Sequence, residues 1–469
     1  MTPLFSVCCL ALSANAAMED FAHDTCGIRA VWLTTLDGLD WPAAHSVSAE
    51  SMLRQQREFT DMLDSLRQIG INTVLLQTRI RGTVIYPSAA EPWDACLTGR
   101  AGSSPGYDPL AFAINECHRR GMELHAWVVA MPLGKWNSPG CRTMRRNHPQ
   151  AVKQIKGYGY LNPDKPQTGD IIAAICSEIT RNYEIDGIHL DYIRYPETWK
   201  LKISPTQARA NITSIVRKVH DAVRAAETKN QHVKLSCSPI GKRCDLARYS
   251  SHGWNALGKG CQDVQAWLRD GLMDQLYPMM YFRDNQFFPF ALDWMENSYG
   301  KDIVAGLGIY FLDRRYGDWY LPEIVRQINV AESAGMGVCF FRAKFLLDNT
   351  QGIYDYMRYV HNYSSSISNA MNSPASLLSP APAAPPAQKD TIKDFLHNDG
   401  KLMDLPSKGN TLDADYVMFE TLQGQTIAVR PFRESKADIT AIPDGIYFIK
   451  SLGRKSRSHR LGMTIIKRK

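Results

Sequence analysis

Long apolar runs are scarce in this chain. After the first dozen residues no segment approaches the ~20 apolar residues that span a bilayer, so no helical span is expected there. The cysteines form no CxxC pair, which removes zinc-ribbon and dithiol-redox readings. Of the eleven, two fall in the leading apolar run, and the other nine are scattered and odd in number. Cys117, Cys176 and Cys339 sit in apolar patterns and are expected in the core. No GxGxxG follows the first apolar strand pattern, and Ser238 has no GxSxG elbow around it, so dinucleotide binding and serine hydrolysis are poorly supported. Acidic residues are missing from Arg454 to Lys469, where seven Lys or Arg fall. Without that tail the 47 remaining basic residues equal the 47 acidic ones, so the net charge of +7 describes a solvated end and not a nucleic-acid-binding face.

What is present suits one large domain with an appendage. The 469 residues are 44% hydrophobic, enough for a sizeable core. Residues 1–17 read as a signal peptide, an apolar run from Pro3 to Leu12 followed by the small-x-small Ala14-Asn15-Ala16, although the usual positive start is missing. Export then places the protein in the periplasm, at the outer membrane or outside the cell.

From 27 to 363, eight short apolar runs alternate with amphipathic stretches. The runs are IRAVWLT, NTVLLQT, MELHAWV, IDGIHLD, HVKLSCS, MDQLYPMMY, DIVAGLG and MGVCFFR. Eight strand–helix units over such a length predict an α/β fold, a (β/α)8 TIM barrel, against a doubly wound sheet as the competitor. Residues 364–390 form a Pro/Ser/Ala-rich linker. From 391 to 469 the alternation of YVMFETLQGQTIAVRPF and IPDGIYFIKSL predicts a small β-sandwich.

In such a barrel chemistry belongs where strands end. Asp191 ends the fourth strand, in DGIHLDYIRYPE, and His189 shares its pleat face. Asp186, at the strand's start, reads as structural. Asp191 is either a catalyst or an ion-pair partner of a residue such as Arg194. The loop after strand two gathers Arg79, Arg81, Glu91 and Trp93, which can stack on sugars and bind hydroxyls, or else pack on themselves. His125 and Trp127 alternate along strand three, and Tyr281 and Asp284 follow strand six. Glycoside hydrolysis needs two carboxyl groups. Asp191 as nucleophile or base with Glu91 as acid fits that scheme, with Asp284 in reserve. Arg79, Arg81, Trp93, His125, Trp127, His189, Arg194, Tyr281 and Asp284 are the expected substrate-binding residues. No cofactor and no metal ligand set is expected.

At these residues the chain resembles the bacterial glycosyl-hydrolase-like family 10, through IRAVWLTTLDGLDWP, GINTVLLQTRIRGTVIYPSAAEPWDACLTG, PGYDPLAFAINECHRRGMELHAW and YEIDGIHLDYIRYPE. The resemblance implies a barrel glycosidase of the cell envelope, acting on glycan strands of peptidoglycan. DGIHLD is also similar to the strand-four motif of the α-amylase class, which implies a nucleophile at Asp191. That class carries its acid after strand five, where this chain has SCSPIG. Departures from the family pattern stand at Cys26-Gly27-Ile28-Arg29, where many members have Glu before the Arg, and at VVAMP, where many have Asn-Pro. A third is Tyr192, where many have a second Asp. The C-terminal module is similar to sorting domains of the type IX secretion route, which implies secretion machinery as a partner.

The expected function is an exported glycoside hydrolase cleaving a bacterial polysaccharide, peptidoglycan glycan first. A non-catalytic glycan-binding barrel is the alternative, motivated by the missing carboxylate after strand five.

Overall fold

The computed structural model describes residues 27–229 and 231–371, with 402–404, 414–421, 426–433, 436–439, 442, 445–453 and 459–466 of the C-terminal part. The expected signal peptide and most of the expected linker lie outside the described residues.

Eight parallel strands close into a barrel, each paired with its chain neighbours and the last with the first. They are β1 Arg29–Leu33, β2 Thr73–Arg79, β3 Glu123–Val129, β4 Gly187–Asp191, β5 Lys234–Cys237, β6 Gln275–Leu276, β7 Asp302–Leu307 and β8 Gly337–Phe341. Each starts within an apolar run read from the sequence, and β2 and β3 run one residue past theirs. The sixth is the shortest, because Pro278 has no N–H for the ladder; pairing resumes only as single bridges from Met279 to Ile240 and Gly306.

Helices wrap the barrel where the sequence carries their stop and start signals. Ser48 caps Ala49–Gln68, and Asp108 caps Pro109–His118 by accepting from Leu110 N and Ala111 N. The helices Pro166–Asn182, Pro205–Ala226, Val264–Arg269 and Leu321–Ser333 occupy amphipathic stretches between the apolar runs. One more, Phe288–Glu296, completes the sixth unit from a Phe-rich stretch whose helical spacing the sequence reading passed over. The last helix is longer than expected. It runs Ile353–Met371, so the chain stays helical past 363 into the stretch read as linker. No helix of the described residues is long and apolar enough to cross a membrane.

Strand alternation divides the core in two. Val31, Leu33, Val74, Leu76, Leu124, Ala126, Val128, Ile188 and Leu190 face the helices and join the main cluster. Ala30, Trp32, Leu75, Trp127, Val129, Tyr277, Val304 and Cys339 form a separate cluster inside the barrel, with Tyr192 and Phe341 against it. Cys117, Cys176 and Cys339 are fully buried and free, as expected of core residues.

After β3 the chain adds a small antiparallel sheet of Pro132–Lys135, Tyr158–Leu161 and Val152–Ile155. In the C-terminal part, six strands between Leu402 and Ile466 pair antiparallel in one order. Val417, Phe419, Ile439, Tyr447 and Ile449 build their own apolar cluster there.

Candidate active site at the barrel mouth

Asp191 is the last residue of β4, and its side chain enters the barrel interior at the C-terminal rim. Three donors converge on it. Trp127 Nε1 donates to Oδ2 at 3.2 Å, Ser238 Oγ to Oδ1 at 2.8 Å, and the Tyr192 amide to Oδ1 at 2.7 Å. Residue 191 is 8% exposed, so the carboxylate is fixed yet not sealed off. Tyr192 turns the chain with φ +52°, a left-handed backbone uncommon for a bulky residue. Such strain collects at functional sites. The Arg194 guanidinium covers the Tyr192 ring at 3.9 Å and pairs with Glu197 at 2.8 Å, so Arg194 is spent within this loop instead of on Asp191.

Beneath Asp191 lies a second polar layer. Trp32 Nε1 donates to His189 Nε2 at 3.3 Å, which leaves the ring proton on Nδ1, 2.9 Å from Ser236 Oγ. Burial, and then His125, push the His189 imidazole well below the usual histidine range, so it is neutral. Both histidines are fully buried, which corrects their expected substrate contact: they share the pleat face of the strand ends but sit too deep. His125 is directed to the far end of the barrel. Its Nε2 lies 3.2 Å from Glu123, whose other oxygen pairs with Lys234. Asp186, also at that end, accepts from the Leu124 amide at 2.7 Å and lies 2.8 Å from His118.

Glu91 is engaged in a buried ion pair. Its two oxygens take a bidentate pair from Arg79, Nε at 2.8 Å and Nη2 at 2.6 Å, and the side chains are 2% and 0% exposed. Arg79 Nη1 donates to the Val129 and Ala130 carbonyls. The pair therefore bolts the loop after β2 to the end of β3, and both charged groups are engaged there. Trp93 is half-buried against the main core. Arg81 is open to solvent on a cavity of about 450 Å³ that Asp37, His45 and Asp94 also line. Asp284 is 70% exposed and directed at Arg326 of the helix layer, 3.5 Å away, which removes it as reserve partner.

Trp127 and Tyr281 remain with Asp191. Trp127, 4% exposed, orients the carboxylate instead of offering an open stacking face. Tyr281 packs on Gly308 and lies in the field of Asp191. Burial first, then Cys339, Tyr310 and Asp191, push its phenol well above the usual range, so it is a hydrogen-bond donor. Sequence reasoning missed Ser238, Tyr192 and Tyr310 as parts of this mouth. The signal for Ser238 was its spacing: it stands two residues past Ser236 on the same pleat face, level with Asp191.

The chain has measurable similarities to known proteins. The chain is similar to "Glycosyl hydrolase YngK" of Bacillus subtilis (strain 168), 28% identical over 364 residues, covering 70% of each. It is similar to "Glycosyl hydrolase DigH" of Escherichia coli (strain K12), 28% identical over 384 residues, covering 71% of this chain and 86% of that one. Among solved structures, an endo-1,4-beta-D-mannanase from Thermotoga petrophila RKU-1 aligns with a TM-score of 0.46 at 12% identity, covering 67% of this chain and 88% of that one. Residues 27–207, the stretch that contains Asp191, match the family model described as glycosyl hydrolase-like 10.

Proposed function

We propose that the protein is an exported glycoside hydrolase that cleaves a bacterial polysaccharide, with the glycan strands of peptidoglycan as the first substrate to test. The observation that carries this reading is Asp191: a carboxylate held by three donors at the C-terminal rim of a barrel, beside aromatic rings. In this reading Asp191 attacks or stabilises the anomeric carbon as positive charge develops there. The family match over residues 27–207 and the similarity to proteins named glycosyl hydrolases support it. Export rests on the leading apolar run and the small-x-small pattern alone.

A specific observation favours a second reading. Glu91 is tied to Arg79 and Glu197 to Arg194, so neither offers Asp191 an unengaged carboxyl partner. A barrel with one fixed carboxylate and aromatic walls is also a glycan-binding site without turnover.

Incubating the full chain with purified sacculi and with denuded glycan strands, then identifying new ends by mass spectrometry, separates the two. Hydrolysis should appear with the wild type and fall at least about a hundredfold in Asp191→Asn. Full activity in Asp191→Asn would overturn the assignment; binding with no new ends would establish the second reading.

A further inference from the structure

Between β7 and the helix Leu321–Ser333 the chain reads GIYFLDRRYGDWY, with five aromatic residues in thirteen. Trp319 is buried in the core with Phe311 packed against it, but the tyrosines are not hidden. Tyr316 and Tyr320 are 52% and 56% exposed, and Tyr310 is half-buried.

They form a connected series that begins at the apolar cluster inside the barrel, which holds Trp127, a donor to Asp191, and has Phe341 packed against it. Tyr281 meets Phe341 at 5.6 Å and Tyr310 at 5.7 Å between ring centroids. Tyr310 in turn meets Tyr316 edge-on at 6.2 Å. The series is braced from behind: Phe311 stacks on Trp319 at 4.7 Å, and Phe345 lies 5.7 Å from Tyr316. Two glycines permit the close packing. A Cβ at Gly317 would lie 2.7 Å from the Phe311 ring, and one at Gly308 would press on Tyr281 at 3.2 Å.

A cluster of exposed rings with a polar rim is the kind of surface that marks a binding site, where a single exposed ring is not. Here the outward rings are tyrosines, with apolar faces and hydroxyls at the rim. The neighbouring Arg315 and Asp313 pair with each other and leave the rim polar. An alkyl chain would use none of these hydroxyls. A pyranose uses both features, laying its C–H face on a ring and its hydroxyls against the rim.

We propose that Tyr310 and Tyr316 form a sugar-binding platform that extends the Asp191 site outward along the loop after β7. The ligand is a polysaccharide chain several pyranose rings long, in place of a terminal sugar alone. This inference rests on the glycan-acting reading of the Asp191 site. It makes the loop after β7 a determinant of preferred chain length.

The test uses the full chain carrying Asp191→Asn, so that probes are bound without being cut. Affinities are measured for denuded peptidoglycan glycan strands and for their disaccharide repeat unit. Adding Tyr316→Ala should weaken the long strands about three- to tenfold, leaving the disaccharide unchanged, and Tyr316→Trp should restore the long-strand affinity. Equal long-strand affinity with and without Tyr316→Ala overturns the platform alone, as does an equal loss for both probes. If the Asp191→Asn parent and the wild type bind neither probe, the glycan reading of the Asp191 site falls, and the platform with it.

Discussion

Trp127 and Ser238 hold the two oxygens of Asp191 from opposite neighbouring strands, Trp127 from β3 and Ser238 from just past β5. A carboxylate held this way keeps one orientation without needing an arginine. Replacing either donor while preserving shape, as in Trp127→Phe or Ser238→Ala, should lower kcat on glycan strands about tenfold, the equivalent of one buried charge-assisted hydrogen bond. KM and the far-ultraviolet circular dichroism should stay near wild type. Unchanged kcat in both variants would show that the carboxylate does not depend on these donors.

The Arg79–Glu91 pair gives a stability prediction. Glu91→Ala leaves a fully buried guanidinium without its counter-ion and should cost about 3–5 kcal/mol, read from urea unfolding. A double replacement, Arg79→Met with Glu91→Leu, should recover much of that loss, since the uncompensated charge goes too. A Glu91→Ala protein of wild-type stability but without hydrolysis would return Glu91 to the role of acid.

The far end of the barrel responds to acid. Burial raises the Glu123 carboxyl, but the hydrogen bonds and charges of His125 and Lys234 outweigh it and bring the group to about 2, against 4.5 when free. A folded value below the unfolded one means that stability is present in full above about 4.5 and is lost as pH falls toward 2. Between those values the wild type should lose stability more steeply than Glu123→Gln. Parallel acid profiles for the two proteins would remove Glu123 as the source.

Gly187 gives a steric prediction. A Cβ there would sit 2.6 Å from His125 Nδ1, inside a barrel with no room to yield. Gly187→Ala should destabilise by about 1–3 kcal/mol. Pairing it with His125→Ala should relieve the clash, which thermal unfolding of the single and double variants would reveal.

These contacts show how far the sequence could be read. The eight strands were visible because each buried strand is a short apolar run between turn residues, and Asp191 was visible because it ends one of them. Depth inside the barrel was not. His125, His189 and Asp191 share the inward face, and only the closed ring of strands shows that the histidines lie below the mouth. The fate of Glu91 was hidden for another reason. Its partner Arg79 is twelve residues away, and whether two such side chains meet depends on the path of the loop between them. Asp284 and Arg326 repeat that lesson across two elements. The platform after β7 was legible as composition but not as a site, since nothing in GIYFLDRRYGDWY tells exposed rings from packed ones.

The left-handed turn at Tyr192 has a consequence for how this mouth can vary. That backbone setting shuts out β-branched residues and is easiest for glycine, asparagine or aspartate. Tyrosine here sets a ring under Arg194 beside Asp191. Position 192 thus behaves as a socket: the turn restricts the shape of the plug, and the plug in place decides which chemistry is presented at the rim.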